Sequence, residues 1–560
     1  MSITDSFCSS EPSFSEGESL TSYFSEFESS SDEDDASENS FADYDSNDDE
    51  DFGHWENYEE GTYIGDDIPL FTESSGVSDL VNHLKSPIDF FKLFIDDEYL
   101  EIIKENTQEY YTANNNAQRT NISSHKKKWS KPNLHEIKGF LGLVLLMGII
   151  KKPKIEDYWS SSILNGTPGF GNILYYDHFK HLSRNIFFYN IRYGINSDDP
   201  LYKIRSLINK IVTTSQRLCK PDEYLTIDEG MIKFNGRSKL KVYMPLKPIK
   251  FGFKVYILAD PRSGYVFNWV MHEGEDQSLI QIVSNLVENY KHKGHILCMD
   301  RFYSTIGVAN EMTRQGFGFI GAIMRNRLHT TKLMTNVFKN LAKGESIFFC
   351  AKDMKTILTL WKDTKVVSIL SNIGDDTISS VVRKDVDENN NFRRKEIECP
   401  DNVIIYARNS KGVDKFDQMI SYYINDHKSI KWYWRIVLHL LFVALHNSFI
   451  LYSNVNKVKP ECPTFLSFQR SVIKSLVEEI REKKNIPQTP AKRNIKRTST
   501  ESIITSPQND ECALEYATQA DCIICKPKGT RKRTIYSCKF HKKSLCVVPC
   551  YDIHRMNPNL

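Results

Sequence analysis

Two aspartates, Asp414 and Asp417, stand three positions apart in GVDKFDQM, residues 412–419. On a helix that spacing puts both carboxylates on one face, about one turn apart. Two like charges so placed repel and call for a neutralising partner. Asp228, in TIDEG at the end of the first predicted strand of an α/β region, and Asp300, in CMDRFYS at the end of a later strand, are candidates to join them. Side chains at the carboxyl ends of such strands converge on one crevice, and neighbouring strands lie about 5 Å apart. Three or four converging carboxylates offer hard oxygen ligands suited to Mg2+ or Mn2+. Two such ions would activate a water or a 3′-hydroxyl for phosphoryl transfer. Glu229 and Asp260 lie nearby and are alternative ligands; spacing alone does not separate them.

A second set of ligands closes the chain. CIICKPKGTRKRTIYSCKFHKKSLCVVPCYDIH presents Cys522, Cys525, Cys538, His541, Cys546, Cys550 and His554 in short pairs. Thiolates and imidazoles so spaced suit tetrahedral Zn2+, which supplies folding energy that so few residues lack. Two closed sites need eight ligands, and Cys512, ten residues before Cys522, is the candidate for the eighth. Lys532 and Arg533, between the ligands, suit DNA contact. A RING-like reading of this tail needs an apolar partner groove, which its lysines and arginines do not favour. Cys219, Cys298 and Cys350 read as structural.

Between the first two aspartates, KFNGRSKLKVYMPLKPIKFGFK (residues 233–254) carries Lys233, Arg237, Lys239, Lys241, Lys247, Lys250 and Lys254 with aromatics interleaved. Such a cluster can hold phosphates without reading sequence. Arg325 and Arg327 are candidates for the same work. Trp432 and Trp434, two apart on a helix, cannot share a face, so one reads as core and the other as a contact to DNA or a neighbouring domain.

The elements that must position these groups follow from composition and periodicity. The 560 residues have a formal net charge of zero, but the sum hides an asymmetry. Residues 1–70 hold 22 Asp plus Glu and no Lys or Arg, so residues 71–560 carry 72 basic against 72 − 22 = 50 acidic side chains. A basic body behind an acidic tail suggests a polyanion partner. The tail is too polar to offset its chain entropy and should be disordered. No secretory signal is evident, and the longest apolar run, GFLGLVLLMGII, is too short to span a bilayer. Apolar residues at three- and four-residue spacing predict helices from about 86 to 222, with Pro132–Asn133 as one start. Short β-branched runs from 223 predict strands, followed by alternating helix and strand: an α/β arrangement on a mixed sheet. AKRNIKR (residues 491–497) fits nuclear import.

TIDEGMIKFNGRSKLKVYMPLKPIKFGFKVYILAD, MDRFYST and NSKGVDKFDQM, in that order, closely resemble the piggyBac family of DNA transposases. LGLVLLMGIIKKPKIEDYWS and KWYWRIVLHLLFVALHNSFILY extend the resemblance to residues 86–470, and the cysteine-rich tail adds to it. It implies an RNase H-like catalytic core with an Asp triad at Asp228, Asp300 and Asp414, and a further family aspartate at Asp417. It also implies a cross-braced two-zinc domain that binds transposon-end DNA; many relatives use an upstream His where this chain has Cys512. The implied activity is cut-and-paste transposition by a nuclear homodimer: cleavage at terminal inverted repeats, hairpin formation and joining to TTAA targets. The alternative is a transposase-derived protein that holds DNA or chromatin without catalysis. The expected organisation is an acidic disordered tail (1–85), a helical dimerisation and DNA-binding domain (86–222 and 422–483), a catalytic core (223–325 and 401–421) interrupted by a β-rich insertion (326–400), a linker (484–511) and a zinc-binding domain (512–560).

Overall fold

A computed structural model of the chain describes residues 55–58, 68–116, 129–162, 164–189, 199–245, 247–274, 277–328, 332–351, 355–386, 392–456, 464–483, 512–528 and 532–556. The expected nuclear-import segment and linker, and most of the acidic tail, lie outside these residues. The chain divides into two compact units, residues 1–486 and 487–560.

The strands of the first unit are, in chain order, β1 (Trp55–Asn57), β2 (Gly76–Val77), β3 (Cys219–Lys220), β4 (Tyr224–Lys233), β5 (Val242–Tyr243), β6 (Phe251–Ala259), β7 (Val266–Met271), β8 (Ile296–Met299), β9 (Gly318–Ala322), β10 (Ser346–Ala351), β11 (Ile357–Lys362), β12 (Val366–Ser371), β13 (Ile378–Val386) and β14 (Phe392–Pro400). Its helices are α1 (Pro87–Lys92), α2 (Asp97–Asn116), α3 (Leu134–Ile149), α4 (Pro168–Ile173), α5 (Tyr176–Asn185), α6 (Arg205–Leu218), α7 (Leu279–Val287), α8 (Ile306–Arg314), α9 (Lys332–Asn340), α10 (Asp401–Asn409), α11 (Gly412–Tyr423), α12 (Trp432–Val455) and α13 (Phe465–Lys483).

Ten strands form one mixed sheet in the order β1-β10-β11-β12-β9-β8-β4-β6-β5, with β7 also paired to β6. β4 runs parallel to β8 and antiparallel to β6, and β8 runs parallel to β9. The β-rich segment after residue 326 is not a separate layer. Its strands β10 to β12 extend the same sheet through the antiparallel β12–β9 pair, and only β13 and β14 stand apart as a hairpin.

The start of the chain departs from the expected disordered tail at two places. Trp55 to Asn57 pair with β10 at the sheet edge, where Trp55 is buried and its indole Nε1 donates to the Leu328 carbonyl at 3.0 Å. Gly76 and Val77 pair with β3. Trp55 supplies the large apolar surface that the surrounding acidic composition lacks.

Helices α1, α3, α12 and α13 pack on one another beside the sheet. Asn133 caps α3 and Glu136 closes the capping box, as the Pro132–Asn133 start predicts. The apolar run that follows is almost wholly buried. α12 is long and apolar enough to cross a membrane, yet 89% of that stretch is buried inside the protein, so it acts as a core helix. Trp432 and Trp434 both pack inward, Trp432 against Phe253 and Trp434 against Phe140 and Phe188. Trp434 thus lies among the helices and Trp432 against a strand of the sheet, which is how two positions that cannot share a helix face divide their contacts. Buried Arg435 of α12 donates to the carbonyls of Lys233 and Asn425 and pairs with Asp426, tying the end of β4 to the segment after α11.

Candidate functional site

Asp228 lies inside β4, not at its end as the strand pattern suggests, because β4 runs on past it to pair with β6. What ends beside Asp228 is the parallel partner. The register pairs Ile227 with Met299, the last residue of β8, so Asp228 and Asp300 take the next step on adjacent strands, about 5 Å apart at the backbone. Side chains alternate along a strand, which puts Thr226, Asp228 and Gly230 on one face and Glu229 on the other.

Helix α11 lies along that first face. A Cβ on Gly412 would stand 3.0 Å from Thr226 Oγ1 and 2.7 Å from the Asp260 carbonyl, so only glycine lets the helix start this close. Thr226 donates to the Asn409 carbonyl at 2.7 Å, and Lys415 donates to the carbonyls of Pro261 and Arg262. Four residues further along β4, Asp417 Oδ1 lies 3.4 Å from where a Gly230 Cβ would be. The helix thus follows the strand from Thr226 to Gly230, and Asp414, between those two contacts, rides above Asp228.

The electrostatics agree with that placement. Burial pushes the Asp228 carboxyl well above its ordinary value; Glu229, Asp300 and Asp414 push the same way and Lys247 opposes them. Asp300 is solvent-exposed, yet enough protein surrounds it that desolvation raises its carboxyl too; Glu229 adds to this, and the Arg301 backbone N–H opposes it. Burial, then Asp414, lifts Asp417 to about 7. Hard carboxylate oxygens whose neighbours oppose their ionisation form a donor set that fits divalent cations. They are nonetheless looser than the thiol sites: among the described residues only the cysteines and histidines form groups with all donor atoms within 4.8 Å.

The alternative ligands have other partners. Asp260 accepts from Ser263 N at 2.6 Å and Ser263 Oγ at 2.7 Å, which builds the turn under α11. Glu229 pairs with Lys247 at 2.9 Å. Arg327, expected to face phosphates, instead donates to the carbonyls of Arg301, Phe302 and Ser304 and so clamps the turn that begins at Asp300. Arg325 stacks over Phe338. Sequence spacing gave no sign of either role, since the partners are backbone carbonyls and a distant ring.

The Asp417 shift predicts a pH-dependent stability. A carboxyl that titrates near 4 unfolded and about 7 folded leaves the folded state holding the extra proton between those values. Stability contributed by this group therefore falls as pH rises from about 4 to 7, and the penalty is complete above that. In chelated protein, Asp417→Asn should raise Tm at pH 8 by a few degrees, on a scale of ~2–4 °C per kcal/mol, and by less at pH 5. Equal gains at both pH values would contradict this.

The basic stretch splits in the fold. Lys233, Arg237, Lys239 and Lys250 are exposed, and no Asp or Glu occurs from 230 to 259. Lys241 is half-buried, donates to the Gly236 carbonyl at 3.1 Å and lies over the Phe251 ring. Lys254 is corrected outright. It is buried, with Nζ 3.9 Å from the Phe302 ring centroid and 5.2 Å from that of Tyr256, because β6 is a central strand and position 254 faces inward.

The second unit holds strands β15 (Leu514–Asp521) and β16 (Arg533–Cys538), paired antiparallel, and helix α14 (Cys550–Met556). Two groups of donors gather there. Cys512, Cys538, His541 and His554 form one; Cys522, Cys525, Cys546 and Cys550 form the other. Each could hold a zinc ion, and Cys512 takes the eighth position. The groups interleave along the chain, which is a cross-brace. His541 Nδ1 lies 3.5, 3.4 and 3.3 Å from Cys512 Sγ, Cys538 Sγ and His554 Nε2. Burial opposes ionisation of Cys522, but the backbone N–H groups of Cys546, Cys525 and Ile524 bring its thiol down to about 7. Burial, Cys525 and Cys522 push Cys550 up to about 12. A thiolate crowded by other thiols is the state a cation relieves. Lys532 and Arg533 are exposed on the same unit.

Comparison with known proteins adds three findings. Residues 86–449 match the family described as Transposase IS4. The chain is 22% identical to human PiggyBac transposable element-derived protein 3 over 412 residues, 71% of this chain and 65% of that protein, and 22% identical to human PiggyBac transposable element-derived protein 2 over 393 residues, 67% of this chain and 63% of that one. It thus spans a little under two thirds of the length of these curated relatives. In fold it is similar to a solved piggyBac transposase synaptic complex with hairpin DNA, at TM-score 0.62 and 20% identity, over 85% of this chain and all of that one.

Proposed function

This chain belongs to the piggyBac-type transposases of the Transposase IS4 family, and we propose that it is a cut-and-paste DNA transposase with an RNase H-like catalytic core. The observation that carries the reading is the meeting of Asp228 and Asp300 on adjacent parallel strands beneath the Asp414–Asp417 face of α11. The run β7-β6-β4-β8-β9, three antiparallel strands followed by two parallel ones, supports the RNase H-like assignment.

In this reading Asp228, Asp300 and Asp414 hold Mg2+ or Mn2+ and Asp417 supports them. Bound ions would lower the pKa of the attacking water or hydroxyl and stabilise the departing oxygen. A water oxygen attacks the phosphorus at the transposon end, the P–O3′ bond breaks, and the 3′-oxygen leaves and takes a proton. That 3′-hydroxyl then attacks the opposite strand, closing a hairpin as that strand's own 3′-oxygen departs. Opened ends join TTAA targets by the same displacement. The exposed cations Lys233, Arg237, Lys239 and Lys250 would track the duplex, and Lys532 and Arg533, between the candidate zinc ligands, would contact end DNA. The helices beside the sheet would serve a homodimer, which acts in the nucleus.

The test is cleavage of a duplex carrying terminal inverted repeats bounded by TTAA. Purified protein should nick it at the repeat boundary with Mg2+ or Mn2+ and not in EDTA. Binding without metal-dependent nicking would leave a transposase-derived DNA binder.

A further inference from the structure

Of the four aspartates, Asp300 alone lies outside a strand or helix. Its place depends on the turn over residues 300–304 that joins β8 to α8. The Asp300 carbonyl closes that turn, accepting from the backbone N–H groups of Tyr303 at 3.0 Å and Ser304 at 3.2 Å and from the Ser304 hydroxyl at 3.1 Å. The turn also lies close on β9, where a Cβ on Gly321 would collide with Ser304 Oγ and stand 2.9 Å from the Met299 carbonyl. Three more of its carbonyls converge on a single atom. Arg327 Nη1 donates to those of Arg301 at 3.0 Å, Phe302 at 2.8 Å and Ser304 at 3.3 Å. The backbone that carries Arg327 is itself fixed. Its N–H donates to the Met324 carbonyl at 3.0 Å, and the next residue, Leu328, is buried with its carbonyl held by the Trp55 indole. A planar guanidinium on so firm a base loses little freedom for each bond it makes.

We propose that Arg327 is a positioning residue that sets the metal affinity of the acidic site by fixing the turn from which Asp300 projects. The proposal rests on the reading of Asp300 as a metal ligand. A ligand carried on a turn is held only as firmly as the turn, and groups that orient metal ligands typically govern affinity by about 10–100-fold. Positioning and charge act here with opposite signs. By charge alone, losing a cation beside Asp300 would favour a divalent ion; by positioning, it weakens binding.

The experiment titrates Mn2+ into zinc-loaded, DNA-free full-length protein and follows free Mn2+ by electron paramagnetic resonance. Arg327→Met should bind Mn2+ about tenfold more weakly than wild type. In the metal-free variant the Tyr303 and Ser304 amides should exchange hydrogen about tenfold faster, while those of β4 and β6 keep their wild-type rates. Binding to a random-sequence duplex should keep its salt dependence, whereas loss of a phosphate contact would lower the slope by about one. Unchanged or tighter Mn2+ binding, exchange that rises equally across the sheet, or a slope lower by one each overturns the positioning role. Should Arg327→Met not fold, Arg327→Lys, which keeps the charge and shortens the reach, takes its place, with a smaller weakening of the same sign. Asp300→Ala separates this from the underlying reading: if it binds Mn2+ as tightly as wild type, Asp300 is not a ligand and that reading fails first.

Discussion

Asp300→Ala should abolish strand cleavage, by a factor of about 1,000 or more, while DNA affinity changes only a few-fold. Asp300 stands one step beyond the Ile227–Met299 pair, beside Asp228, and its loss removes a hard oxygen from the set that the parallel strands bring together. The exposed cations Lys233, Arg237, Lys239 and Lys250 are untouched, so the phosphate contacts proposed for them would remain. Unfolding is not the expected route to the loss. Desolvation and Glu229 both disfavour the Asp300 charge, so removing it from the metal-free protein should leave Tm unchanged or raise it. Asp260→Ala is the contrasting control: it deletes the acceptor of two hydrogen bonds that build the turn under α11 and should cost stability, about 1–2 kcal/mol for such losses. Gel assays of nicking and binding, with melting curves on the same preparations, separate the outcomes. Cleavage by Asp300→Ala at the wild-type rate would remove this residue from the chemistry.

Cys512→Ala should lower bound zinc from two ions per chain to about one, measured by elemental analysis of purified full-length protein. Cys512 joins Cys538, His541 and His554 from the far side of the hairpin, and its carbonyl accepts from the Tyr551 hydroxyl at 2.7 Å. Three remaining ligands make an open site, which binds more weakly than a closed tetrahedral one. Structural zinc contributes ~10–16 kcal/mol in small domains, far more than the modest core of this unit, so a strong chelator should make the region from 512 to 556 sensitive to protease. Cys522→Ser should remove the other ion, and Cys219→Ala, outside both groups, should leave both in place. Two ions retained by Cys512→Ala would break the assignment.

Much of this was legible in residue order. The helical and strand periods and the helix start at Asn133 followed from spacing, because local patterns record which face an element buries; spacing offered the four aspartates only as candidates beside Glu229 and Asp260, and the resemblance singled them out. The paired cysteines and histidines likewise announced thiolate and imidazole ligation. Other features depend on partners that are distant in sequence. Asp228 and Glu229 are neighbours of the same chemistry; which one faces α11 is decided by the register with β8 and by the close seat of Gly412 on Thr226. Lys254 belongs to a run of basic residues, yet a central strand turns it inward between aromatic rings. Arg327 found backbone carbonyls rather than phosphates, and Trp55 pinned an acidic segment to a sheet edge.

Residue order by itself determined the kinds of chemistry this protein can carry: hard oxygen donors for divalent ions, soft donors for zinc, and cations for a polyanion. Tertiary structure alone decided which carboxylates meet, which cysteine joins which group, and which lysine pairs with Glu229. Charge and donor type belong to each side chain and travel with it. Distance between side chains exists only after strands have paired and helices have docked, and both coordination and Coulomb energy depend on distance.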